Sequence, residues 1–347
     1  MTAQQFASDN YAGICPAAFN AMMEANAGSA VSYGQDDWTS RAADALRSAF
    51  EHDADVYFVF NGTAANSLAL ASLCRSYESI IAADFAHIET DECGAPEFFS
   101  NGAKILTAPT DRGKLTPIAI RAIAKSRNDI HFPRPAVVTI TQPTETGLLY
   151  TLDEIQSIST ACRELGLKLH MDGARFANAV AALNCSPADM TWRVGVDVLC
   201  CGGTKGGMGI GEAVLFFDRD LARGFDYRCK QAGQLASKMR FLAAPWVGML
   251  QDGRWLEYAR HANSSARLLG RLLQDIEEIQ LVYPVEANAV FISMPPDVGL
   301  RLRKRGWLFY EFIGDAARFM FAWDADRNRI EKLAQDIREC SYSATNS

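Results

Sequence analysis

The sequence predicts an α/β protein whose largely parallel sheet is covered by helices on both faces. Two observations carry that reading. Short apolar runs alternate with longer helical patterns, and the residues that stop several of these runs differ sharply in chemistry.

The first run, DVYFVFNG (Asp55–Gly62), ends in a glycine turn, and the Ala- and Leu-rich TAANSLALASLC (Thr63–Cys74) continues it as a helix. Six more strands are predicted: SIIAADFAH (Ser79–His87), AKILTAP (Ala103–Pro109), AVVTIT (Ala136–Thr141), LKLHMD (Leu167–Asp172), VDVLCCGG (Val196–Gly203) and EAVLFF (Glu212–Phe217). Helices fill the gaps. Thr116–Pro117 is a cap followed by a first-turn proline, and TLDE (Thr151–Glu154) fits a capping box. After about Trp246 the texture changes. A long helix (Trp255–Ile279), VEANAVFISMPP (Val285–Pro296), RFMFAW (Arg318–Trp323) and a charged last helix predict a smaller α+β unit. The expected division is 1–250 and 251–347, with the amino-terminal segment reaching the site of the larger unit.

At 49% hydrophobic and 22% charged, a chain of 347 residues can bury a substantial core. A net charge of −7 argues against a broad basic face, so no nucleic-acid partner is expected. No apolar run reaches the roughly 20 residues of a membrane helix. The start, MTAQQFASDN, lacks a basic segment followed by an apolar one, so neither membrane nor secretory routing is expected. Nine cysteines without a C-x-x-C pair fit buried thiols in a reducing cytoplasm better than disulfides or zinc. The five histidines show no metal-binding spacing, and no metal is expected.

In sheets of this class the ligand sits beyond the carboxyl ends of strands. Gly62–Thr63, His87, Asp172 and Lys205 stand at four such ends. Lys205 lies in CGGTKGGMGIG, which admits three readings: a surface turn, a phosphate loop, or a lysine that forms a Schiff base. A dinucleotide fingerprint opens a helix, whereas these glycines lead into EAVLFF. A Walker loop needs Ser or Thr after the lysine, where Gly206 stands. The covalent reading fits better, with the small neighbours leaving room for a planar cofactor. A dinucleotide-dependent oxidoreductase stays as the distant alternative. Asp172 would then cap a helix, pair with Arg175, or keep a pyridine nitrogen protonated. Arg175 would reach a ring hydroxyl or a substrate carboxylate. Gly62 and Thr63 open a helix suited to phosphate, and Thr204 adds a hydroxyl. His87 reads as a core histidine or as a ring lying flat on the cofactor.

The strings FASDN, YGQDDW, FNGTAANSLALASL, AHIETDECGAPEFFSNGAK, IHFPRP, HMDGARFANA, GGTKGGMG and KQAGQLASKMRFLAAPW together resemble the low-specificity L-threonine aldolases, especially the bacterial subgroup that includes phenylserine aldolases. The resemblance runs from about Phe6 into the last helix. It implies the pyridoxal-phosphate fold type I: a mostly parallel seven-stranded sheet in a large domain and a smaller α+β C-terminal domain. It implies pyridoxal 5'-phosphate bonded to Lys205, with Asp172 at the pyridine nitrogen, Arg175 at the ring hydroxyl or substrate, and His87 stacked on the ring. Gly62, Thr63 and Thr204 would hold the phosphate. Ser8 and Arg318 would clamp the substrate carboxylate, while Tyr33 and Glu92 line the site. His131 would be the base for the substrate hydroxyl, with His87 second and a water assisted by Glu92 third. The family usually shows S-K where this chain has Thr204–Lys205. Lys238, in QAGQLASK, would reach a neighbouring subunit's phosphate, since a homo-oligomer, dimer or tetramer, is implied. The implied reaction is retro-aldol cleavage of L-threonine, L-allo-threonine and related β-hydroxy-α-amino acids. A phenylserine preference, β-elimination and transamination are the alternatives.

Overall fold

A computed structural model describes residues 4–110, 112–127, 129–312 and 314–342. The outermost residues of the two expected units, 1–3 and 343–347, lie outside the described residues. In chain order the strands are β1 (Gln4–Gln5), β2 (Asp55–Val59), β3 (Glu78–Ala83), β4 (Lys104–Ala108), β5 (Arg134–Thr141), β6 (Lys168–Gly173), β7 (Val198–Gly202), β8 (Glu212–Phe216), β9 (Gln280–Leu281), β10 (Ala289–Ser293), β11 (Trp307–Leu308), β12 (Tyr310–Phe312) and β13 (Ala316–Met320).

The seven runs read from the sequence become one seven-stranded sheet in the order β2-β8-β7-β6-β5-β3-β4. Strand β8 runs antiparallel to both its neighbours, and every other pair is parallel. Strands β3 and β8 are buried at every position, which is why they read as continuous apolar runs rather than as alternation. The helix Gly62–Leu73 is buried without interruption from Ala64 to Ala71. It lies under a second helix, Ala95–Phe99, so it carries no polar face. Its two polar residues, Asn66 and Ser67, are therefore forced to find partners inside the protein.

One strand boundary differs from expectation. Strand β3 ends at Ala83, and His87 starts a single helical turn, His87–Thr90. The chain leaves the sheet because the Asp84 N–H donates to the Ala108 carbonyl and the Ala86 N–H turns back to Ala83. The expected caps form: Thr116 accepts from the Ala119 N–H, and Thr151 with Glu154 makes a capping box.

The C-terminal residues build an antiparallel sheet, β12-β13-β10-β9. Val298, Leu302, Ile330, Leu333 and Ile337 form its core with Val290 and Phe319. The helix Arg254–Leu272 serves both cores: Trp255 and Ala259 enter the large one, Ala266 and Leu269 the small one. It stops before the expected Ile279. Asp275, Glu277 and Glu278 would otherwise crowd negative charge on its negative end. The amino terminus crosses over: β1 pairs with β11, and Phe6 packs between Phe321 (4.9 Å) and Trp307 (6.0 Å). By packing, these first residues join the smaller core. No helix among the described residues is long and apolar enough to cross a membrane.

Phe6 is 4% exposed, so Phe6→Ala leaves a cavity in the smaller core. The expected loss in urea unfolding is about 3–5 kcal/mol.

Candidate active site

The carboxyl ends of β5, β6 and β7 lie side by side, with Thr141 paired to Asp172 and Gly173 to Cys201. Asp172 is buried there. Its Oδ1 accepts from the Ala174 N–H at 3.0 Å and its Oδ2 from Asn66 Nδ2 at 2.9 Å. Asn66 Nδ2 also donates to Glu92 Oε1 at 2.9 Å, and His87 Nδ1 meets the same oxygen at 2.9 Å. A continuous chain of hydrogen bonds thus runs from His87 through Glu92 and Asn66 to Asp172. The hydrogen bond to Glu92 raises the His87 pKa, and burial raises that of Glu92. The carboxylate makes Nδ1 the donating nitrogen of His87.

Lys205 stands in the one-turn helix Thr204–Gly206 that follows β7. Its amine makes no hydrogen bond or ion pair among the described residues. Several of the glycines around it have a second cause beside the one expected. A Cβ on Gly202 would lie 2.1 Å from the Ala174 carbonyl oxygen, one on Gly203 2.6 Å from that of Gly211, and one on Gly209 2.4 Å from Ile14. At these three positions the missing side chain lets neighbouring backbone and the Ile14 side chain close in, whereas Gly206 meets only Met249 Cε at 3.9 Å. The GGMGIG run enters β8 rather than a helix, which removes the dinucleotide reading. The turn is held by Glu212, whose Oε2 accepts from the Gly203 N–H at 2.6 Å. Burial pushes the Glu212 carboxyl up to about 7, although Thr204, the Gly203 N–H and Lys205 oppose the rise.

Arg175 does not face Asp172 directly. Its Nε and Nη2 bind both oxygens of Asp9, at 2.6 and 3.0 Å. Asn288 Nδ2 adds a third contact to Asp9 at 3.2 Å. Burial opposes ionisation of Asp9, but the charge and hydrogen bonds of Arg175, with Lys205 and Asn288, together outweigh it and hold the carboxyl below the usual range. Ser8, the residue before, caps the turn Asp9–Tyr11 with its hydroxyl on the Asn10 N–H at 3.2 Å. Arg318 on β13 is half-buried and lacks a hydrogen bond or ion pair among the described residues; its Nε is buried and unpartnered. Burial, then the Arg175 charge, lowers its pKa. At the start of the helix Gly62–Leu73, Asn61 caps the Ala64 N–H at 2.9 Å. The first-turn N–H groups of Gly62 and Thr63 have no intrahelical acceptor, and nothing lies within 4 Å of a Cβ position on Gly62.

Two expected residues are not brought here. His131 is exposed in the turn before β5, its N–H on Asp129 at 3.0 Å. The whole length of β5, eight residues, separates it from the reactive edge of its own chain. Tyr33 is at the surface, 48% exposed with the Lys230 ammonium 4.5 Å above its ring. Lys238, expected at a neighbouring subunit's phosphate, is exposed, as reaching another chain requires. The sequence reading missed Asp9, Asn66, Glu145, Glu212 and Asn288. Glu145 follows β5 by four residues, and examining that strand's end as the others were examined would have found it. A cavity of about 490 Å³ lined by His52, Trp192 and Asp197 lies at the amino ends of β6 and β7, the wrong edge for a strand-end ligand.

Residues 5–295 match the family model described as beta-eliminating lyase. The chain belongs to the beta-eliminating lyase family. It is 64% identical over 336 residues to the low specificity L-threonine aldolase of Pseudomonas aeruginosa, covering 96% of this chain and 97% of that protein. The solved structure of Leishmania major threonine aldolase matches with a TM-score of 0.92 at 29% identity, over 97% of this chain and 99% of that one. Oryza sativa TDC, solved with pyridoxal phosphate and tryptamine, shares the fold at a TM-score of 0.78 and 15% identity, over 98% and 83% of the two chains. The architecture of this beta-eliminating lyase is thus fold type I, as the sequence implied.

Within the family fold, Glu212 yields a pH test. Its raised pKa means that folding favours the protonated acid. The stability this supplies is complete below about 4.5 and disappears as pH rises through about 7. Relative to Glu212→Gln, wild type should lose about 3 kcal/mol between those limits in urea unfolding of the cofactor-free protein.

Proposed function

We propose that the chain is a pyridoxal-phosphate-dependent aldolase that cleaves L-threonine, L-allo-threonine and related β-hydroxy-α-amino acids to glycine and an aldehyde. The observation that carries this reading is an unpaired Lys205 beside a buried, doubly hydrogen-bonded Asp172 at neighbouring strand ends. The residues present fit the cofactor. Lys205 offers an uncommitted amine for its aldehyde, the first turn at Gly62 and Thr63 offers N–H groups for its phosphate, and Asp172 offers a fixed carboxylate for its ring nitrogen. When bound, pyridoxal phosphate supplies an electron-withdrawing pyridinium ring.

The protein's own groups do the rest. Asn66 and the Ala174 N–H hold Asp172 in one orientation, in which it would meet the ring nitrogen. Glu92 holds His87 by Nδ1, which fixes the imidazole that would stack on the cofactor ring. Arg318, unpaired, binds the substrate carboxylate, and Ser8 stands beside the Asp9 strap that brings Arg175 to the same pocket. A fixed carboxylate orients the bonds at the substrate Cα, so that the Cα–Cβ bond is the one presented for cleavage.

The division near residue 250 belongs to the same proposal, as does a homo-oligomer. Tyr11, Ile14, Phe19, Met23 and Val31 expose apolar surface, with Ile14 packed over Gly209 of the Lys205 loop. A second copy covering them would seal the site. A cytoplasmic location is supported by nine free cysteines.

Purified protein given L-threonine, L-allo-threonine and phenylserine should release glycine and the matching aldehyde. Lys205→Ala should abolish turnover and the borohydride-bleachable absorbance. Near-wild-type cleavage by that variant would overturn the reading.

A further inference from the structure

Glu92, Asp172, Asp9 and Glu212 have their oxygens committed to protein donors: Asn66 and His87, Asn66 and Ala174, Arg175 and Asn288, and Gly203. Glu145 is the exception. Its carboxyl makes no hydrogen bond or ion pair among the described residues. Yet the loop that carries it is tightly fixed. The Thr144 N–H donates to Leu148 at 2.9 Å, the Gly147 N–H to Thr144 at 2.8 Å, the Thr144 and Thr146 hydroxyls meet at 2.9 Å, and Thr146 donates to the Arg112 carbonyl at 2.6 Å. Gly147, at φ +77, allows that turn with Phe291 packed against it. A rigid loop at the carboxyl end of β5 thus presents one free carboxylate to the pocket. The charged groups facing it are Arg175, His87, Asp172, Lys205 and, from β13, Arg318.

Resting on the aldolase reading, we propose that Glu145 is the base that takes the proton of the substrate's β-hydroxyl, directly or through one water. In that step the O–H proton passes to the Glu145 carboxylate and the oxygen pair forms the aldehyde C=O. The Cα–Cβ bond breaks with its electron pair remaining on the glycine half, which takes a proton at Cα. The aldehyde leaves, and Glu145 returns its proton to water, so one proton leaves oxygen and one arrives at carbon. The competing group is His87, whose Nδ1 donates to Glu92 and leaves Nε2 able to accept a proton, but whose ring is assigned to stacking. Burial raises the Glu145 pKa against the pull of Arg175 and His87, which makes the carboxylate a stronger base than one in water.

Glycine lacks the β-hydroxyl and separates this role from binding. In Glu145→Gln holoenzyme, threonine kcat should fall about 100-fold or more. Glycine affinity, read from the cofactor absorbance, and exchange of glycine's α-proton with deuterated water should match wild type. The acid limb of kcat/KM should vanish in the residual activity. Should this variant fail to load cofactor, Glu145→Ala with added formate should regain threonine cleavage and not glycine exchange beyond its starting level. Wild-type cleavage by Glu145→Gln, equal loss of glycine binding and cleavage, or no formate response would each overturn the assignment. A wild-type enzyme that releases no aldehyde from threonine would instead overturn the aldolase reading itself.

Discussion

The bidentate ion pair between Arg175 and Asp9 is the contact on which the site's geometry depends. Both charges are withdrawn from water, and at burial of this degree the mutual attraction roughly offsets the loss of hydration. The pair therefore adds little net stability but strongly selects one arrangement. It clamps the amino-terminal turn to the end of β6. Asn288, just before β10, joins the same carboxylate and also donates to the Phe321 carbonyl at 2.8 Å. Three distant stretches of chain, one from each core and one from the amino terminus, converge on Asp9.

With those stretches fixed, the pocket sorts its charged groups into two kinds. Asp172, Glu92, Asp9 and Arg175 are held by protein partners and act as scaffolding. Lys205, Arg318 and Glu145 make no hydrogen bond or ion pair among the described residues. Unpaired charge in a partly dry site is costly, so groups of this kind at the strand ends are where a ligand would complete the bonding. The three open groups also differ in kind: an amine, a guanidinium and a carboxylate, matching an aldehyde, a carboxylate and a hydroxyl proton.

Much of this was legible in the sequence for a physical reason. Buried parallel strands must be apolar throughout, so Ile80–Ala83 and Ala213–Phe216 announced themselves. The groups at their carboxyl ends followed from the polarity of the sheet. What stayed hidden depended on contacts between distant residues. Gly202 is small because of Ala174, and Gly209 because of Ile14, and no local pattern distinguishes such glycines from those that make room for a ligand. His131 and Glu145 flank the same strand. A polar residue beside an apolar run looks alike at either end, and only the strand's direction separates the reactive edge from the other. The partner of Arg175 was equally hidden, because Asp9 lies 166 residues away.

Arg318 shows how the small sheet enters the chemistry. Strand β13 is paired on both sides, so the backbone at Arg318 cannot shift to relieve its side chain. The guanidinium lies 4.5 Å from the Phe312 ring centre and 5.5 Å from that of Tyr310, whose negative faces replace part of the lost hydration. They cannot replace it all, and Arg175 nearby adds repulsion, which is why the charged form of Arg318 is disfavoured. A carboxylate arriving in the pocket removes both penalties at once by supplying opposite charge and hydrogen-bond acceptors in the fork geometry that guanidinium favours. On the proposed role, an amino acid's carboxylate would add to the opposing charge that Asp9 and Glu145 already supply and would bring the hydrogen-bond acceptors that Arg318 lacks.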